Sequence, residues 1–151
     1  MSSKFRNCVS NRGLRKIPPD TRDIEAEMRE AESDLESAKR SLGEPDYKWT
    51  IIKAYYSMFH AFKSLLFSAG YTEKSHECLI IAIEELFTDK GLLPASIIPD
   101  IRNAKIARES ADYGLTYGQA SAEGTVQEAE QILQVVSSYL AGKGYGKSTR
   151  A

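Results

Sequence analysis

Residues 54–63 read Ala54-Tyr55-Tyr56-Ser57-Met58-Phe59-His60-Ala61-Phe62-Lys63, and this stretch decides the fold. Projected at 100° per residue, Asp46, Thr50, Lys53, Ser57, His60, Ser64 and Ser68 fall within about 80° of one another, while Tyr55, Met58, Phe59, Phe62, Leu65 and Leu66 cover the rest. A helix apolar around most of its circumference is wrapped by other helices. Its thin polar stripe, with Lys53, Ser57, His60 and Ser64 at its centre, must meet water, a second subunit or a ligand. For His60, one turn from Ser57 and Ser64, the choices are a buried hydrogen-bond seam, a dimer contact or a ligand wall. A satisfied packing histidine is the simplest of them.

Working outward, the helix spans about Tyr47 to Ala69 and ends at Gly70. Before it, Ile24, Met28, Ala31, Leu35, Ala38 and Leu42 alternate spacings of four and three. That seam predicts a helix over Thr21 to Leu42, started by Pro18-Pro19-Asp20 and stopped by Gly43-Glu44-Pro45. After it, a helix starts at Ser75 and carries Leu79, Ile80, Ile83, Leu86 and Phe87 to Gly91. A fourth, Ala95 to Tyr113, presents Ile97, Ile101, Ala104, Ala107 and Ala111, and its Pro99 falls in the first turn, where no amide is needed. Thr125-Val126-Gln127-Glu128 reads as a capping box opening a fifth helix, and Gly114 to Gly124 reads as a mobile polar loop before it. No stretch reads convincingly as a strand. The expected architecture is all-α, an antiparallel up-and-down bundle of about five helices over residues 20–142, with a basic arm at 1–19 and a flexible basic tail at 143–151.

At 151 residues the chain suits one domain. No apolar run approaches the roughly 18 to 20 residues that cross a bilayer, and residues 1–17 have no apolar core of a secretion signal, so a soluble cytoplasmic protein is expected. Cys8 and Cys78 make neither a metal spacing nor a disulfide framework; Cys78 reads as a core residue and Cys8 as part of a mobile arm. The net charge of −1 hides a segregation, because all 21 acidic residues lie between Asp20 and Glu130, against only 12 of the 20 basic ones in residues 20–142. That body carries −9. An RNA role would therefore need the basic arms or a local cationic patch.

The chemical inventory is short. His60 and His76 are the only histidines, and no zinc, H-E-x-x-H, D-x-D or G-x-S-x-G pattern is present, so neither metal nor cofactor is expected. The tail Ala141 to Thr149 ends like a phosphate-binding loop but has Ala141 at the first glycine position and no strand before it, which excludes that reading. Lys74-Ser75-His76 is the best local constellation. Ser75 suits a helix cap, Lys74 and His76 flank exposed backbone donors that could hold a phosphate or carboxylate, and His76 at a positive helix end should stay neutral. Arg108 and Asp112, at i and i+4, can pair on one face, with Tyr113 beside them.

Four of these motifs together resemble a stand-alone prokaryotic or archaeal HEPN domain: Arg12 to Ile17, Ala54 to Ala61, Gly70-Tyr71 followed by Lys74-Ser75-His76, and Arg108 to Gly114. The resemblance covers about residues 12–142 and implies an antiparallel helical bundle. It also implies one of two roles: an RNA-cutting toxin of a toxin–antitoxin pair, active as a homodimer and often accompanied by a nucleotidyltransferase, or a non-catalytic binding module. Catalytic members share an R-x4-6-H motif, whose arginine and histidine move protons and stabilise a charged phosphorane. This chain departs from it, since the permitted histidine positions hold Ala107, Arg108 and Glu109 after Arg102, and Tyr113, Gly114 and Leu115 after Arg108. The expectation is a non-catalytic module, homodimeric or with a nucleotidyltransferase, with nucleotide or RNA as its ligand. The first alternative is a metal-independent endoribonuclease toxin with a site from Arg108, Asp112 and Tyr113 with His76 or His60. The second is a purely structural interaction protein.

Overall fold

In the computed structural model, which describes residues 1–114 and 117–146, the long apolar helix is α3 (Tyr47–Ser68), and the other long helices pack against it. The described order is α1 (Ser3–Ser10), β1 (Leu14–Lys16), α2 (Thr21–Gly43), α3, β2 (Tyr71–Glu73), α4 (His76–Ile83), a π-helical turn (Glu84–Thr88), α5 (Ile97–Asp112) and α6 (Gln119–Gly142). The all-α class holds, with six α-helices among the described residues rather than five. Among these residues no helix is long and apolar enough to cross a membrane.

Two helix starts follow their sequence signals. Asp20 caps α2, its Oδ1 accepting from the Arg22 amide at 2.8 Å, and Ser75 caps α4, its Oγ accepting from the Cys78 amide at 3.0 Å. Gly70, at φ +86°, ends α3 in a backbone conformation that costs other residues energy.

The polar stripe of α3 faces α2, and this decides among its alternatives within the chain. Ser57 Oγ donates to the Ala31 carbonyl at 2.8 Å and Ser64 Oγ to the Ile24 carbonyl at 2.7 Å, a seven-residue step on both helices that fixes an antiparallel register. Lys53 Nζ reaches Ser41 Oγ at 2.8 Å, and His60 Nδ1 lies 2.6 Å from Glu27 Oε1. Ala31, Ala38, Ala54 and Ala61, all fully buried, contribute only methyl groups to the crowded core. The stripe is a hydrogen-bond seam between two helices, because hydroxyls buried in such a contact must find backbone acceptors.

Three expectations are corrected first. Residues 1–19 are not simply a mobile arm: Phe5 and Cys8, one turn apart on α1, and Leu14 on β1 are all buried. Phe5 packs edge-on against Tyr71 with ring centroids 5.8 Å apart. Cys8 and Cys78, read as unpaired, form a disulfide across 70 residues of sequence. Strands exist where none was convincing, β1 and β2 pairing antiparallel with Arg15 opposite Thr72; three-residue strands are too short to show a period.

The last helix begins six residues before Thr125, whose Oγ1 donates back to the Ser121 carbonyl at 2.7 Å within the helix instead of capping it. Residues 119–124 are thus helical rather than loop, since Ala122 and Val126 share a buried face. The predicted third helix divides into α4 and the π turn. Of the phosphate-loop-like tail, Ala141 and Gly142 end α6, and residues 147–149 lie outside the described residues.

Candidate functional site

Tyr55 is fully buried on the side of α3 away from the seam, and a buried phenol needs a partner. It finds one in His76, the first residue of α4, with Oη 2.7 Å from Nδ1. Ser75 sets that position by capping the helix, so the motif Lys74-Ser75-His76 resolves into three roles. Ser75 is the cap, His76 enters the cluster, and Lys74 is exposed, its backbone amide donating to the Gly13 carbonyl at 2.9 Å.

The His76 ring stacks near Phe59 with centroids 4.3 Å apart and meets Tyr56 edge-on at 6.3 Å. From α5, the Arg108 guanidinium lies over both tyrosine rings, its Cζ 5.4 Å from the Tyr55 centroid and 5.7 Å from that of Tyr56. Arg108 Nη1 donates to Asp112 Oδ2 at 2.9 Å, the predicted i,i+4 pair, while its Nε is buried without a partner. Arg102 reaches across from α5 to Glu77 in the first turn of α4 at 3.0 Å. Lys63 Nζ sits 5.7 Å above Phe59 and 5.4 Å above Phe67, and 3.3 Å from Glu73 Oε2.

The protonation states follow from these surroundings. Burial, then the positive charges of Arg108 and Lys105, lower the His76 pKa, so its ring is neutral at pH 7. Neutrality was expected from the helix end; desolvation is the larger cause. Burial pushes the Tyr55 phenol well above its ordinary range, so it keeps its proton and donates to Nδ1, leaving the ring hydrogen on Nε2. Burial opposes the charge on Arg108, but the Asp112 bond and the two tyrosines outweigh it and hold the guanidinium charged.

The structure therefore brings together His76, Arg108 and Asp112, and leaves others apart. Tyr113 is 77% exposed at the end of α5. His60 belongs to the α2–α3 seam, its Nε2 3.8 Å from Asp34 beyond the Glu27 contact, along with Lys53, Ser57 and Ser64. Sequence reading gave no site role to Tyr55, Tyr56 and Phe59, counting Tyr55 and Phe59 only as apolar cover. The available signal was the pair of tyrosine hydroxyls in a helix otherwise bound for burial. Among the described residues no group of three His, Cys, Asp or Glu side chains converges to hold a metal.

Residues 24–140 match the family model described as the HEPN domain. The chain belongs to the HEPN family. Among its relatives is a protein of Methanocaldococcus jannaschii named "Putative toxin", 28% identical over 74% of this chain and 73% of that one. A UPF0332 protein of Archaeoglobus fulgidus is 32% identical over 62% of this chain and 74% of its own length. The crystal structure of a Thermus thermophilus protein superposes with a TM-score of 0.67 at 21% identity, over 78% of this chain and 98% of that one, and shares the fold. The HEPN match begins inside α2, so α1 and β1 lie outside it.

Proposed function

We propose that this HEPN protein is a non-catalytic module that binds RNA or a nucleotide on the Tyr56–His76–Arg108 face, as a homodimer or beside a nucleotidyltransferase partner. The observation that carries the reading is Arg108 held charged over two tyrosines next to a neutral His76. Tyr56 and Phe59 are half-buried aromatic surfaces of the kind on which bases stack, and such stacking contributes about 1–3 kcal/mol per base. Arg108, Lys105 and Lys63 bring cations to this face, each now beside a carboxylate, Asp112, Glu109 and Glu73, from which a phosphate would have to draw it. The Methanocaldococcus jannaschii relative is named as a putative toxin, a name that fits a cleaving protein as well as a binding one.

Cleavage is the second reading, and the Tyr55–His76 bond favours it, because a neutral imidazole with one nitrogen engaged can move a proton at the other. Incubating the purified protein with total RNA, and titrating it with a short single-stranded RNA and with AMP by calorimetry, separates the readings. Binding without cleavage is expected, weakened about tenfold, ~1.4 kcal/mol, by Arg108→Ala. Cleavage lost in both Arg108→Ala and His76→Ala, with helicity intact, would replace the binding module by a nuclease. Neither binding nor cleavage would leave a structural interaction protein. A monomer at micromolar concentration in light scattering would refute the homodimer.

A further inference from the structure

The segment outside the HEPN match is fastened at the start of α4, where His76 lies. Helix α1 has eight residues, too few to hold its shape alone, and it buries only Phe5 and Cys8. The β1–β2 ladder is three residues long, and an isolated two-stranded ladder is marginal in water. At the N-terminus the Ser2 amide donates to Glu85 Oε1 at 2.9 Å in an exposed contact. Beside the packing of Phe5 and Leu14 and the Ile17 amide bond to the Gly70 carbonyl at 2.9 Å, one attachment is covalent.

That attachment ends on the turn that carries His76. Cys78, joined to Cys8, is the residue whose amide Ser75 caps, and Lys74 donates to the carbonyl of Gly13. Gly13 passes so close that a Cβ there would come within 2.6 Å of Cys78 Sγ. Residues 74–78 are thus held from the N-terminal side by one backbone bond and one disulfide. Both sulfurs are buried, Cys8 at 4% and Cys78 at 9% exposure. Reduced, they would be two small apolar side chains in the same interface, compatible with the folded bundle.

We propose that Cys8–Cys78 is a thiol–disulfide switch that sets how firmly the start of α4, and with it His76, is held against α3. As regulation of the ligand face it rests on the function proposed above for its consequence, though its chemistry does not. A small dithiol is the reductant. Its thiolate attacks one sulfur, the bridge breaks, and the other sulfur leaves as a thiolate and takes a proton. The second thiol of the reductant then closes its own disulfide, freeing the first cysteine, so two electrons and two protons pass to Cys8 and Cys78. With the bridge open, α1 and β1 detach more often and the 74–78 turn loses its tether, because the 70-residue separation no longer restrains the chain.

The test compares wild-type protein before and after dithiothreitol, with alkylation and mass measurement counting thiols. Reduction should expose two alkylatable thiols and speed amide exchange at Lys16, Lys74 and Cys78 about tenfold or more, while amides along the α2–α3 seam change little. The NMR titration of His76 should move up towards an ordinary histidine as its burial is relieved. Cys8→Ala should resemble the reduced protein and ignore dithiothreitol. Should that variant fold poorly, the wild-type comparison decides alone. Two thiols that stay free when the protein is exposed to an oxidised dithiol, or exchange in residues 70–80 alike in the two forms, would overturn the switch. Loss of RNA and nucleotide binding in both forms would instead refute the ligand reading, and the exchange data would still decide the switch.

Discussion

Replacing Glu27 by glutamine should weaken the protein in a way that depends on pH, through His60. Their side chains are 21% and 24% exposed, and Nδ1 lies 2.6 Å from Oε1. The Glu27 hydrogen bond is the largest influence on His60; burial opposes it, and the charges of Glu27, Asp34 and Glu30 add to it, so the pKa rises above 6.5. A base whose folded pKa is raised contributes stability that is fully present below its unfolded value and is lost as pH rises through the folded value.

Hydrogen bonds to charged groups contribute about 1.5–3 kcal/mol; with Asp34 still 3.8 Å away and both groups partly solvated, Glu27→Gln should cost about 1–2 kcal/mol near pH 6. At about 2–4 °C per kcal/mol for a domain of this size, the melting temperature should fall by roughly 2–8 °C. Thermal melts of both proteins between pH 5.5 and 9, followed by circular dichroism, measure it. The gap should narrow as pH rises through the folded pKa of His60, because the wild-type loses the ionic part of the contact. Asp34, raised chiefly by burial, subtracts stability above its own titration, but it does so in both proteins. A gap of equal size at pH 5.5 and 9, or none at pH 6, would refute the reasoning.

Tyr55→Phe removes the donor to His76 Nδ1, should cost about 1 kcal/mol, and should raise the His76 pKa in an NMR titration because the neutral ring loses its partner. Ala111→Leu forces a larger side chain among Ile51, Ile52 and Ala122, so urea denaturation should show a loss of about 1–3 kcal/mol from overpacking. Ser57→Ala and Ser64→Ala each remove one hydroxyl from the seam, while the Ala31 and Ile24 carbonyls remain able to accept within α2. Each should lower stability by about 1 kcal/mol in denaturant titrations, and together they should add, since the two bonds lie two helical turns apart.

Much of the bundle was legible because its signals are local. The spacing from Ile24 to Leu42, the caps at Asp20 and Ser75 and the stop at Gly70 each describe a few consecutive residues, and the structure follows all of them. Thr125 shows the limit of local reading. A threonine followed three residues later by glutamate satisfies a capping pattern, yet helix α6 continues back to Gln119 because Ala122 is buried in the same face as Val126. The N-terminal segment was illegible for a related reason: three-residue strands and an eight-residue helix carry too little periodicity to stand out from a basic tail.

The sequence by itself determined that α3 would lie at the centre, that Ser75 would present His76 at a helix start, and that Arg108 and Asp112 would share a face. Each follows from residue type and helical geometry over a turn or two. Only the tertiary structure decided that His60 faces α2 while His76 meets Tyr55, that Arg108 lies over Tyr55 and Tyr56, and that Cys8 reaches Cys78. Those pairings join residues 21 to 70 positions apart, and their partners are chosen by how whole helices pack, which no local pattern records.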